Sequence, residues 1–152
     1  MADESTETTE ENGALADALA AEHAAVWGYG VVGAALPSGQ RAPVAAAENA
    51  HRDVRDQLAA LLTERGEDPA GPEGGYALPF PVLSAVDAAA LAVTLEDGAA
   101  SAWVRVLARG VDRPVRELAM AALGAGEVRA VSWRTAAGQT STTRALPGLS
   151  AP

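Results

Sequence analysis

The chain has 152 residues, a formal net charge of −9 and no cysteine. This length allows one domain with a real core, and the missing cysteines exclude disulfides, thiolate catalysis and Cys-ligated zinc or iron–sulfur sites. All 11 basic residues are Arg, and they form no basic patch of the kind that binds nucleic acid, so DNA and RNA are disfavoured as partners.

Hydrophobic residues make up 49% of the chain but aromatics only 4%, so alanine carries much of the core. A core of small side chains suits helices lying close together, and alanine is the best helix former. The N-terminus shows no basic region followed by an apolar run, and no apolar stretch is long enough to span a bilayer, so a cytoplasmic protein is expected.

Residues 1–12, MADESTETTEEN, are acidic and Thr-rich with almost nothing to bury, and they read as a disordered tail. A first helix is expected from about Gly13 to Leu36, ending before Pro37. A second runs from about Pro43 to Arg65, with Pro43 in its first turn and Gly66 as its stop. The next stretch holds Pro69, Gly71, Pro72, Gly74, Gly75, Pro79 and Pro81 and cannot be helical throughout. A third helix starts near Ser84, where Ser84 and Asp87 form a variant capping box, and ends near Gly110. A fourth runs from about Arg113–Pro114 to Arg134. Residues 135–152 are rich in Gly, Thr, Ser and Pro and read as an extended tail, laid along the body through Leu146, Pro147 and Leu149. Short loops make each pair of helices an antiparallel hairpin, and the long middle connection can run a bundle's full height. Residues 13–134 are therefore expected to form an all-α four-helix bundle: two hairpins joined by a long crossover, the ferritin-like topology.

Acidic side chains interrupt the apolar seams. In the first helix the seam is Leu15, Leu19, Glu22, Val26, Tyr29, Gly33 and Leu36. In the third it is Val86, Ala89, Val93, Glu96, Ala100, Trp103 and Leu107. The second helix carries Val44, Ala47 or Glu48, His51, Val54, Leu58 and Leu61, and Glu48 and His51 share a face. A carboxylate on an apolar seam is costly unless it is paired, protonated or bound to metal. Di-iron bundles use one Glu from each of two helices and a Glu-x-x-His from each of the other two. Glu22, Glu48, His51 and Glu96 match three of those four elements. Helix four supplies Glu127, a possible fifth ligand, but Ala130 stands where a second histidine would be. Leu118, Ala122, Ala125 and Val128 make at least as good a seam there. Arg129 lies close by and could supply the positive charge that a metal supplies elsewhere.

The segments ALAAEHAAVWGYGVVGA, YALPFPV, LAVTLEDGAASAW and RAVSWR, with a later LPG, resemble an alanine-rich, ferritin-like family of actinobacteria whose function is unknown. The resemblance covers nearly the whole chain after the acidic tail. It implies a ferritin-like bundle that dimerises, and it implies no activity.

Two readings of the seam residues follow. In one, they form a degenerate carboxylate/His centre tied to arginines such as Arg52, Arg55 or Arg129, in a structural or interaction protein without a resident cofactor. In the other, they bind iron or manganese in a small oxidoreductase. A small apolar molecule held between the helices is a third class, for which the sequence names no ligand. His23 is expected on an outer face, Trp27, Trp103 and Trp133 in packing or a dimer, and Tyr76 and Phe80 pinning the crossover.

Overall fold

The computed structural model describes residues 3–150. Met1 and Ala2 of the expected acidic tail, and Ala151 and Pro152 of the C-terminal one, lie outside them. Four helices account for most of the described chain: α1 Glu4–Ala35, α2 Ala42–Glu64, α3 Ala85–Arg109 and α4 Arg113–Ala136. A 3-10 turn, Ser38–Gln40, lies between α1 and α2, and no strand occurs among the described residues.

The helix boundaries follow local chemistry. The Ser84 side chain accepts the Asp87 backbone N–H at 3.1 Å, and Asp87 in turn accepts the Leu83 N–H at 3.0 Å, so α3 starts at a reciprocal cap. Proline occupies the first turns of α2 and α4, where its missing N–H costs nothing. Gly66 and Gly138, at φ +79° and +74°, end α2 and α4 in the left-handed conformation.

The start of α1 departs from expectation. The segment read as a disordered tail is helical from Glu4, and its last residues are buried. Arg65, at the end of α2, pairs with Glu11 and donates to Asn12 at 2.6 Å. Glu11 also accepts the backbone N–H groups of Val111 and Asp112 in the α3–α4 turn. Charges that composition assigned to solvent are instead spent across three elements.

The order of the contacts gives the topology. Across α1 and α3, Tyr29 meets Glu96 and Glu22 meets Trp103, so the two run antiparallel. The α1–α2 contacts, Glu22 with His51 and Glu11 with Arg65, also run in opposite order. Helices α2 and α3 therefore point the same way, and the crossover between them travels the length of the bundle. It is held against α1 by the His23 ring, 3.0 Å from the Ala70 carbonyl, and by Trp27 against Tyr76, with ring centres 5.4 Å apart. The chain is a four-helix bundle of two antiparallel hairpins joined by a long crossover.

The ring of helices is not closed. Helix α1 packs on α2 and α3, and α4 packs on α3, but α2 and α4 make no comparable contact. This gap overturns part of the expected seams. Val86 and Val128 are 55% and 72% exposed, and Leu118 and Ala122 are only half-buried. Helix α4 instead buries Val115, Ala119, Gly126, Ala130 and Trp133, because α3 is its main neighbour. The C-terminal tail is pinned differently as well: Leu146 and Leu149 are exposed. Arg134 donates to the Thr142 carbonyl and Arg144 pairs with Asp97. Gly148, at φ +79°, lies so close to α3 that a Cβ would fall 2.5 Å from the Ala100 carbonyl oxygen. No helix among the described residues is long and apolar enough to cross a membrane.

Candidate functional site

The buried apolar core is split in two. One half gathers Leu15, Leu19, Leu58, Leu62, Trp103 and Val115, and the other Tyr29, Val32, Leu36, Val44, Leu91 and Trp133. Between them, at the waist of the bundle, sit Glu22, His51 and Glu96, all nearly fully buried. They arrive from three helices because each occupies the middle of its own stripe.

Every oxygen of the two carboxylates is occupied. Glu22 accepts Nδ1 of His51 at 2.5 Å on one oxygen and the Trp103 indole N–H at 2.9 Å on the other. Glu96 accepts Nε2 of His51 at 3.1 Å, the Tyr29 hydroxyl at 2.5 Å and Nε of Arg129 at 2.8 Å, all on Oε1. Its Oε2 accepts Nη2 of Arg129 at 3.2 Å. Gly126 makes room for this arrangement, since a Cβ there would stand 3.3 Å from that oxygen.

The protonation states follow from the geometry. Burial alone would drive His51 toward its neutral form, but hydrogen bonds to Glu22 and Glu96 outweigh it and raise the imidazolium pKa to about 9. Burial pushes the Glu96 carboxyl up, yet His51 and Arg129 together hold it below the usual carboxylate range. Burial, then the Glu96 charge, keeps the Tyr29 phenol protonated. Burial opposes the Arg129 charge, but Glu96 reinforces it. At neutral pH the Glu96 carboxylate thus faces the His51 imidazolium and the Arg129 guanidinium.

Glu48 and Glu127 stand outside it. Glu48 pairs with Arg52 on the α2 surface, one turn along its own helix. Glu127 pairs with Arg134, a fully buried arginine that also bonds Asp97 at 2.8 Å. The expected set of Glu22, Glu48, His51, Glu96 and Glu127 is therefore divided between three places. The reason is helical phase: Glu48 and Glu127 each lie beside their helix's buried stripe, and each has an arginine within reach. Sequence reasoning did not find Arg134, Asp97 or the polar role of Trp103. Trp103 lies on the α3 seam one helical step past Ala100, and that position was a signal for its reaching Glu22.

As placed, these side chains bond one another. Among the described residues no group of three or more His, Cys, Asp or Glu is arranged to hold one. Both ring nitrogens of His51 are committed to carboxylates. Arg129 covers both oxygens of Glu96.

The family profile described as Domain of unknown function (DUF4439) matches residues 14–151. The chain belongs to the DUF4439 family. Its structure is similar to the crystal structure of a conserved hypothetical protein, rv2844, from Mycobacterium tuberculosis. The two share 41% sequence identity and a TM-score of 0.81, over 84% of this chain and 96% of that one. No curated protein matches the chain. Structural similarity thus joins this chain to an actinobacterial protein, and the family description brings no activity with it. Several residues of the segments LAVTLEDGAASAW, RAVSWR and LPG have structural tasks here: Glu96, Asp97 and Trp103; Arg129 and Arg134; and Gly148.

Proposed function

We propose that this chain is a ferritin-like bundle in which internal cations stand in for a metal centre, and that its role is structural or one of interaction, as a homodimer. The observation that carries this reading is Arg129. Its guanidinium lies along Glu96 with two parallel hydrogen bonds, on the helix that would otherwise supply a second histidine. With His51 between the two carboxylates, the charge that a metal would balance is already balanced. Such a network contributes specificity, since each buried charge needs its partner in one geometry.

Elemental analysis of the protein expressed with iron and manganese tests this directly. The purified chain is expected to hold neither metal in stoichiometric amount. Near-stoichiometric iron or manganese, lost in Glu96→Ala, would overturn the reading in favour of a small oxidoreductase.

A further inference from the structure

The gap between α2 and α4 is a cleft of about 710 Å³, walled by Ala46 and Ala50 of α2, Val86 and Ala89 of α3, and Val128 and Trp133 of α4. A second, narrower hollow of about 210 Å³ adjoins it, sharing Ala50 and Arg129, with His51, Glu22 and Glu96 among its lining residues. Its α4 wall includes Leu118, Ala122 and Ala125. These, with Val128, are the residues whose spacing marks them as a bundle seam. A stripe patterned for burial therefore faces an unfilled space.

We infer that the α2–α4 cleft binds a slender, uncharged aliphatic molecule bearing one carbonyl oxygen. The apolar walls suit the chain, since ligand sites of this size are lined mainly by apolar groups with few polar ones that fix orientation. Arg129 is the charged one here, with Gln40 and Ser132 also on the lining. Glu96 takes the Nε and Nη2 edge of its guanidinium, which leaves the Nη1 hydrogens without a protein partner among the described residues, on a side chain that lines both hollows. Charge selects the head group. Glu22 and Glu96 line the inner hollow and the chain carries −9, so a carboxylate would add a further negative charge beside Glu96, whereas an ester or ketone oxygen accepts the same hydrogen bond without one. This charge argument rests on the self-balanced network proposed above. Metal analysis tests the network, and ligand binding tests the cleft.

Titration calorimetry of the full chain with methyl decanoate, decanoic acid and decane is the test. Methyl decanoate is expected to bind once per chain, with the acid and the alkane each weaker by about tenfold or more at neutral pH. Ala50→Phe, which fills the junction, is expected to reduce ester binding by about tenfold or more while keeping the native circular dichroism spectrum. Ala46→Phe, nearer the mouth, repeats the test should the first variant fold poorly. No binding of the ester overturns the inference, and acid binding as tight as the ester overturns the choice of head group. Unchanged ester binding in both filled variants places the ligand elsewhere. Loss of a dimer in those variants with ester binding intact would mean that a second copy covers the cleft.

Discussion

At the scale of single residues, His51 links the site to pH. A histidine free in the unfolded chain loses its proton near pH 6.5, while in the folded protein it holds it to about 9. A raised folded-state pKa means that the stabilisation is complete below 6.5 and is lost as pH rises through 9, a loss on the order of 3 kcal/mol. Glu96 acts in the opposite sense: its stabilisation is present above the ordinary carboxylate range and disappears as pH falls through its lowered value. Thermal melts across this alkaline window should show the native protein losing stability and His51→Gln following a much flatter curve. Equal slopes in the two proteins would sink the assignment. Two glycines of α4 give a second, opposed pair. Gly124 has open space where a Cβ would go, so Gly124→Ala should stabilise by about 1 kcal/mol through helix propensity alone. In Gly126→Ala the methyl crowds Glu96, and chemical denaturation should show that gain cancelled or reversed. The central trio was legible in the sequence because a charged residue amid an apolar stripe stands out. Glu48 and Glu127 were misplaced because a three-residue spacing fixes a shared face and does not fix which side of the stripe that face lies on. Arg134 was invisible because a buried arginine is recognised only by its partners.

At the scale of elements, the N-terminal part of α1 is the clearest departure from sequence expectation. Low hydrophobicity and high charge describe a segment unable to form a core by itself, and that description holds. What it omits is a helix continued by its own C-terminal part and anchored by Glu11. That carboxylate is nearly fully buried, pairs with Arg65 and receives two backbone N–H groups of the α3–α4 turn. Glu11→Ala leaves Arg65 short of a partner and two N–H groups unmatched, and should cost about 2–4 kcal/mol in urea denaturation. A change within about 0.5 kcal/mol, typical of exposed positions, would show the segment to be dispensable. Helix ends were far more legible, since Ser84 with Asp87, the early prolines and Gly66 each act locally. The C-terminal tail shows the reverse. Its apolar residues suggested the anchor, yet Arg144, the Thr142 carbonyl and the close approach of Gly148 hold it.

At the scale of the whole molecule, the topology could be read from connection lengths, because only a long connection can join two helices that point the same way. The open α2–α4 side could not, because periodicity reports which face of a helix is apolar and not what that face meets. The same ambiguity bears on assembly. Along the outside of α4, Met120, Leu123, Val128 and Val131 line a shallow apolar groove with Pro147 of the tail, and Met120 is 60% exposed. A monomer gains nothing from a methionine placed there, whereas two copies meeting along α4 would bury it. The proposed homodimer is therefore expected to use this face. In a monomer Met120→Asp replaces an exposed side chain and should change stability by no more than about 0.5 kcal/mol. In a dimer it sets two carboxylates against each other across an apolar contact, and the subunits should separate. Light scattering on the native chain should give the mass of two copies and Met120→Asp that of one, with the two melting curves matching once both are monomeric. A native chain that scatters as a monomer at micromolar concentration would remove the dimer, and a variant that remains dimeric would move the interface off α4.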